Sequence, residues 1–434
     1  MNILIIGRDY FSLSRDPAHS TVVIGQPDVP RSPPDTPASL IQRHCPTFSP
    51  DIVLHTDESR LPTLAGLEDF RIPLFGFFID SHIHYCWHRE YAGIFDHVFV
   101  AQKDCCDSID RHTANCSWLP LFASPDASGC EKVIHDVSFV GTLDRSLNPE
   151  RVRFIQSLGA MVPLFVHTGA FSRIFRQSRI VLNQSVKTDI NFRVFEVLAS
   201  GSLLLTDNVG NGMESLLEEG KHFVSYRKND PRDAADKIRY YLEHEEERRT
   251  IARSGHVALL ARHSTDIRRR QVMDRIGELL SRWGGRDPRR PQLERKYAAA
   301  RTWLNVARLA ADLERECGIM VSGRDGYVEL AEKCLQLAKG HGSIEHLVRD
   351  LAWIQLLQGK TDSARSAIEA ALRMGAADIE TLLCAASLTH DHDKTKQYLA
   401  AAIQSLQQYR GSDPLYYGSL YDRVLLCAKH AGLL

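Results

Sequence analysis

The stretch from Asn191 to Glu214 concentrates residue types that handle phosphates and hydroxyls: Asn191-Phe-Arg-Val-Phe-Glu-Val-Leu-Ala-Ser-Gly201, then Ser-Leu-Leu-Leu-Thr-Asp-Asn-Val-Gly-Asn-Gly-Met-Glu214. Arg193 has the planar fork that pairs with a diphosphate. Glu196, one turn along, can accept two hydrogen bonds from a vicinal diol. Gly210, Asn211 and Gly212 make a loop whose backbone N–H groups can approach anionic oxygens closely. The bland reading of Arg193 and Glu196 is a surface ion pair at three-residue spacing, worth a few tenths of a kcal/mol. Asn183 ends an apolar run and either caps or faces a ligand. Gly141 and Thr142 follow another strand pattern, with Arg145 three residues on, and read either as a phosphate-adjacent loop or as a plain strand-to-helix turn.

A second group is Asp80, His82, His84 and His88, which follows the apolar run Pro73–Ile79. Asp80 or His82 could orient or deprotonate a hydroxyl, since histidine titrates near pH 6.5. Otherwise Asp80 caps the following helix and His82 packs on Trp87. A zinc site would need a further ligand and supporting groups that the spacing does not supply, so no metal is expected.

These residues need an edge to stand on. Strand patterns at Ile3–Ile6, Thr21–Ile24, Asp51–Leu54, Pro73–Ile79, His97–Val100 and Cys116–Leu119, separated by helix-length connections, predict a parallel α/β layer over residues 1–130. Residues 30–37 read as a proline-rich loop within it. A second α/β layer is expected over 131–282, with strands at Asp136–Val140, Val162–Val166, Ile180–Leu182, Ser202–Thr206 and His222–Ser225. There Asn191–Ser200 reads as a helix ended by Gly201, and Asp230-Pro231 as a helix start. In open α/β sheets, ligands bind at the carboxyl ends of the strands, which is where Asp80, Asn183 and the Gly210–Gly212 loop fall.

Residues 283–292 combine glycine, proline and charge and read as a linker. From 293 to 434 the pattern is helical. Ala331–Ala338 is echoed at Ala364–Ala371, 33 residues on, and at Thr395–Ala402, a further 31 on, with Gly359 placed for a turn. The echo resembles tetratricopeptide repeats, whose period is about 34. A generic antiparallel bundle is the alternative. Either form is expected as an appendage for self-association or protein docking.

Composition sets the outer limits. The 434 residues are 44% hydrophobic and 25% charged, a globular composition that calls for two or three domains. Lys and Arg number 53 against 54 Asp and Glu, so no general nucleic-acid binder is indicated. No apolar run reaches the ~20 residues of a membrane span. The ten cysteines show no C-x-x-C spacing, and no export signal is read at the start, so a reduced, cytoplasmic protein is expected.

Taken in order, Asp80-Ser-His82, Phe95–Gln102, Trp118-Leu-Pro120, Asp136–Gly141, Val181-Leu-Asn183, Arg193-Val-Phe-Glu196, Ala199-Ser-Gly201 and Glu247–Gly255 resemble the CgeB-like (spore maturation protein) glycosyltransferases, related to glycosyltransferase family 4. The resemblance covers roughly residues 50–275. It implies a GT-B fold: two Rossmann-like domains facing across a cleft, the second holding a nucleoside diphosphate sugar as co-substrate, with no cofactor. It assigns the donor side to Gly141, Thr142, Arg145, Asn183, Asn191, Arg193, Glu196 and Gly210–Gly212, and the acceptor side to Asp80 and His82. Family 4 enzymes carry two glutamates with seven residues between them. The second matches Glu196, but the position of the first is Thr188, next to Asp189. The implied activity is sugar transfer to an acceptor, a protein docked on the helical tail among the candidates. The rival is a nucleotide-sugar sensor or scaffold without catalysis, which Thr188 favours. A metal-dependent hydrolase built on the histidines is the third reading.

Overall fold

The computed structural model describes residues 1–25, 36–125, 131–145, 148–283, 292–338, 340 and 343–434. The first layer is a six-stranded, all-parallel sheet in the order β2-β1-β3-β4-β5-β6. Its strands are β1 (Asn2–Ile6), β2 (Ser20–Ile24), β3 (Ile52–Thr56), β4 (Leu74–Phe78), β5 (His97–Val100) and β6 (Cys116–Trp118). Helices α1 (Pro37–His44), α2 (Ser81–Tyr91) and α3 (Lys103–Thr113) belong to this layer. Strand β4 is buried along its whole length, as a central parallel strand must be.

The second layer is a five-stranded parallel sheet in the order β11-β10-β9-β7-β8. It comprises β7 (His135–Val140), β8 (Phe165–His167), β9 (Ser178–Asn183), β10 (Leu203–Asp207) and β11 (Val224–Tyr226). Its helices are α4 (Pro149–Gly159), α5 (Ser172–Arg176), α6 (Phe192–Ser200), α7 (Met213–Leu216), α8 (Pro231–Glu243), α9 (Glu245–Arg262) and α10 (Thr265–Trp283). Gly201 ends α6 at φ 78°, a conformation that glycine adopts without Cβ strain. Asp230 caps α8 by accepting from the N–H groups of Arg232 and Asp233, with Pro231 at the first helical position. Each strand expected from the sequence is present, with ends displaced by a few residues at most. Strand β8 differs most, because Val162–Leu164 precedes it and only Phe165–His167 pairs with β7.

Residues 292–434 form α11 (Gln292–Cys317), α12 (Arg324–Leu337), α13 (Ile344–Leu357), α14 (Thr361–Arg373), α15 (Ile379–Leu388), α16 (His392–Leu406), α17 (Tyr409–Ser412) and α18 (Pro414–His430). The closest pairings are α11 with α12, α13 with α14 and α15 with α16. The three echoed segments therefore lie on α12, α14 and α16, the second arm of successive hairpins, and Gly359 turns between α13 and α14 at φ 76°.

The helical region also packs against the first layer. Helix α11 lies along α2, and Trp303, Val306 and Ala307 share one core with Trp87, Tyr91 and Ile94 of the first layer. The α2 face is apolar on that side, and the tail packs over it. Polar contacts seal the seam: Arg295 donates to the carbonyls of Leu67 and Phe70, and Ser108 Oγ donates to Asp413 at 2.6 Å. The linker at 284–291, most of the proline-rich loop (30–35) and Cys130 fall outside the described residues.

Candidate functional site

The carboxyl ends of the two sheets face each other, and loops from both meet there. Gln102 Oε1, after β5, accepts from the Ile190 N–H at 2.9 Å and from Asn211 Nδ2 at 3.0 Å. Asn211 Oδ1 accepts from the Asp104 N–H at 2.9 Å, and Thr188 Oγ1 donates to Asp104 at 3.1 Å. Gly210, Asn211 and Gly212 all have positive φ (65°, 54° and 84°). At Gly212 a Cβ would stand 2.8 Å from the Lys103 side chain and 2.9 Å from Trp118, so this turn needs glycine in order to approach the first layer.

On one side of this seam a cavity of about 460 Å³ is lined by Arg8, Tyr10, Phe122, Phe171, Phe192 and Glu196, among others. Tyr10 stacks on Phe192 at 5.7 Å, giving the cavity a flat aromatic wall. Glu196 points in from α6. Burial raises its pKa, while Arg193, donating to it at 2.6 Å, works in the opposite direction. Arg193 lies 4.1 Å over the Phe171 ring, so two contacts fix its guanidinium. The ion-pair reading of Arg193 and Glu196 is thus present, and its Glu196 end lines the cavity.

The other donor-side residues divide. Asn183 is buried within the sheet: its amide donates to Thr206 Oγ1 at 3.0 Å, and its carbonyl accepts from Tyr226 at 2.7 Å. Asn191 occupies the N-cap position of α6 without making a side-chain cap bond; its Oδ1 is buried without a partner. Gly141 ends β7 and donates to the His167 carbonyl at 3.0 Å; Thr142 and Arg145 are exposed on the following loop.

On the other side of the seam, Asp80 occupies the cap position of α2, but its side chain makes no cap bond there. His84, not His82, packs on Trp87, at 5.4 Å. His82 is 6% exposed and lies with Nε2 3.9 Å from Asp189 Oδ2 of the second layer. Lys187 Nζ donates to the His82 carbonyl at 3.1 Å. His82 Nδ1 and Asp189 Oδ1 are both buried without partners. Burial pushes His82 down to about 4, against the pull of Asp80. Burial pushes Asp189 up to about 7, and Asp80 and Asp207 add to the rise. Asp57 is likewise pushed up to about 7 by burial, and stands 3.5 Å from the Asp80 N–H. His88 turns away, bonded to Ser81 at 3.0 Å and stacked on Phe78 at 4.4 Å, and among the described residues no three His, Cys, Asp or Glu side chains converge as a metal requires.

Sequence reasoning missed Asp57, Lys187, Asp207 and Lys228, and met Asp189 only as the neighbour of Thr188. Lys228 Nζ donates to Asp207 at 2.7 Å and to the Ser185 carbonyl at 3.0 Å, at the carboxyl ends of β10 and β9. A positive φ of 54° at Lys187 marks a strained turn of the kind found at functional loops. The available signal was positional: each of these residues follows a strand by a few residues on the ligand-binding edge.

Two opposed parallel sheets, with an aromatic-walled cavity and the carboxyl of Asp189 between them, define a two-layer α/β protein with its cleft at the strands' carboxyl ends. Residues 156–274 match the family described as glycosyl transferase-like, and the chain carries a glycosyltransferase-like domain there. Among solved structures it is similar to a glycosyltransferase from Rickettsia africae ESF-5 (12% identity, TM-score 0.46, 64% of this chain and 98% of that one). It is also similar to the sucrose-phosphate synthase of Thermosynechococcus elongatus (9%, 0.49, 65% and 100%). A third is Anabaena HepE in complex with UDP and glucose (11%, 0.45, 64% and 100%). No curated protein matches the chain in sequence.

Proposed function

We propose that the chain moves a sugar from a nucleoside diphosphate donor to an acceptor nucleophile. The observation that supports this reading most is the place of Glu196: it lies within the matched segment, lines the cavity walled by Tyr10 and Phe192, and accepts from Arg193 of the same segment. The nucleoside would stack against this wall, with Glu196 accepting from the ribose diol. Arg193 and the N–H groups of the Val209–Gly212 loop would neutralise charge gathering on the departing diphosphate, a large term in such reactions. As the sugar–oxygen bond to the diphosphate breaks, a bond to the acceptor forms and the acceptor proton must leave. His82 and Asp189, each with a buried unpartnered atom on the acceptor side, would take that proton, and Asp80 would orient the acceptor. Gly141, Thr142, Arg145, Asn183 and Asn191 complete the donor side as supports of that edge.

A CgeB-like specificity, a tetratricopeptide-like tail that docks a protein acceptor or a second copy, and a cytoplasmic setting belong to the same proposal, as does work without cofactor or nucleic acid. No described helix is long and apolar enough to cross a membrane. Thr188 favours the second reading, a nucleotide-sugar sensor with the same cavity and no turnover. Differential scanning with a panel of nucleotides and nucleotide sugars tests both. A true ligand at a hundred times its dissociation constant adds about 2.7 kcal/mol. No shift with any nucleotide overturns both readings; a shift without donor hydrolysis or transfer selects the sensor.

A further inference from the structure

The tail closes one end of the cleft. A cavity of about 460 Å³ opens where three parts of the chain meet: His82 and Ile83 of α2, Lys187 of the second layer, and Asn305, Asp312 and Asp422 of the tail, among others. Its size is that of one small-molecule site, about 300–1,000 Å³. The two arginines on its wall are committed within the tail. Arg308 donates to Glu380 at 2.9 Å and lies 3.8 Å over the Trp353 ring. Arg423 donates to Glu380 at 2.6 Å and to Asn305 Oδ1 at 3.2 Å. Other groups are left open. Asp312 and Asp422 make no hydrogen bond or ion pair among the described residues. Asn305 is only 3% exposed, yet its amide nitrogen makes none either. At the inner end, His82 Nδ1 is buried without a partner, and Lys187 is exposed with a single bond, to the His82 carbonyl.

We propose that this cavity takes a small, neutral, hydroxyl-rich acceptor, a saccharide or polyol, held by Asp312, Asp422 and Asn305 of the tail with one hydroxyl turned to His82. This rests on the transferase reading above for the purpose of the site, though not for its binding. In the transfer, the oxygen of that hydroxyl bonds to the donor sugar as the bond between sugar and diphosphate breaks. The diphosphate leaves with the bonding pair, and the hydroxyl proton passes to His82 and Asp189.

The charge pattern selects the class. An acid would meet Asp312 and Asp422 with no uncommitted arginine in compensation. An amine would meet Lys187 beside Arg308 and Arg423. A hydroxyl both donates and accepts, so it serves the carboxylates and the ammonium alike. Ile83, 47% exposed, stands with Leu309 and Leu415 as an aliphatic wall for the C–H face of a ring. Gly418 keeps the space open. It lies inside α18, where glycine is a weak helix former, and a Cβ there would meet nothing within 4 Å, so close packing does not require it. A saccharide here takes the acceptor's place from a docked protein and leaves the outer faces of the tail to a second copy.

The test uses the full chain and reads binding by ligand-detected NMR. The probes are an array of neutral mono- and disaccharides and polyols, beside glucosamine, glucuronate and short serine-bearing peptides. Neutral probes should bind in preference to the others. Gly418→Leu should fill the cavity and weaken that binding about tenfold or more, and Asp422→Asn should weaken it about threefold or more. Leucine favours the helix more than glycine does, and Asp422 is exposed and outside the Glu380 network, so both variants should keep the parent's thermal midpoint or exceed it. Nucleotide affinity should be unchanged in both. The absence of binding by any neutral probe overturns the proposal, as does binding that neither substitution alters, or a preference for glucosamine, glucuronate or the peptides. A parent chain that binds no nucleotide would instead overturn the transferase reading, while the saccharide measurement still decides the cavity.

Discussion

The cleft and the tail both bury charge, but they treat it differently. In the tail each buried charge has partners. Arg301 donates to Asp350 at 2.8 Å and to Glu380 at 3.3 Å; Arg308 and Arg423 donate to Glu380 at 2.9 and 2.6 Å. Burial would raise Glu380, yet Arg301, Arg308 and Arg423 hold it well below the usual carboxylate range. Across the cleft, Asp189 and His82 stand 3.9 Å apart with an unpartnered atom each, and burial drives both toward neutrality. The first arrangement fixes helices against one another; the second holds unspent hydrogen-bonding capacity where a ligand would arrive. Burial alone therefore does not mark a functional charge. What sets Asp189 and His82 apart is an unpartnered atom each, side by side at the cleft.

The largest test removes the tail. A chain ending at Arg282 should fail to give soluble, folded protein, because it strips the cover from α2 and from the core that Trp87 and Tyr91 share with Trp303. A soluble truncation with intact near-ultraviolet circular dichroism would break the comparison at its root. Next, Glu380→Gln should cost about 3–5 kcal/mol in chemical denaturation, since it strands three arginines in a buried site. A loss below about 1 kcal/mol would mean that the network is not structural.

Asp189→Asn should act in the opposite sense on stability. With its pKa raised from 3.8 to about 7, the folded chain holds this proton more tightly than the unfolded one. The stability that this carboxyl contributes is present below about pH 4 and lost as pH rises through about 7. The variant should therefore be more stable than the parent at pH 8, by about 1 kcal/mol or more. Its turnover should nevertheless fall by about a hundredfold. Equal activity would return Asp189 to a structural role. The smallest effect belongs to Glu196→Ala, which should weaken nucleotide binding by about 1.5–3 kcal/mol in calorimetry with little change in folding. Unchanged affinity would take Glu196 out of the site.

The periodic features were legible from sequence. Buried parallel strands read as apolar runs, Gly201 read as a helix stop and Asp230-Pro231 as a start, because local physics decides each. The carboxyl-edge rule placed Asp80, Asn183 and the Gly210–Gly212 loop on the ligand edge, and the family resemblance pointed to Glu196. What escaped depends on long-range contact. Nothing local to Trp303 says that it packs under α2 rather than within a separate bundle. Nothing local to Asp189 distinguishes it from any loop carboxylate until His82, more than a hundred residues earlier, comes within 3.9 Å. Asn211 looked like part of a phosphate loop, and its side chain proves to tie the two layers together through Gln102 and Asp104.

Because α11 and α18 rest on α2 and α3, the tail and the first layer make a single jaw, and the second layer is the other. Ile83 and Arg308 ride on the first jaw; Lys187 and Thr188 ride on the second. Any opening of the seam between Gln102 and Asn211 would thus widen, in the same stroke, the cavity that His82, Lys187 and Arg308 line together. The leverage is built into the chain order: the tail, last in sequence, rides with the first layer, so any movement of the second layer against the first is equally a movement against the tail.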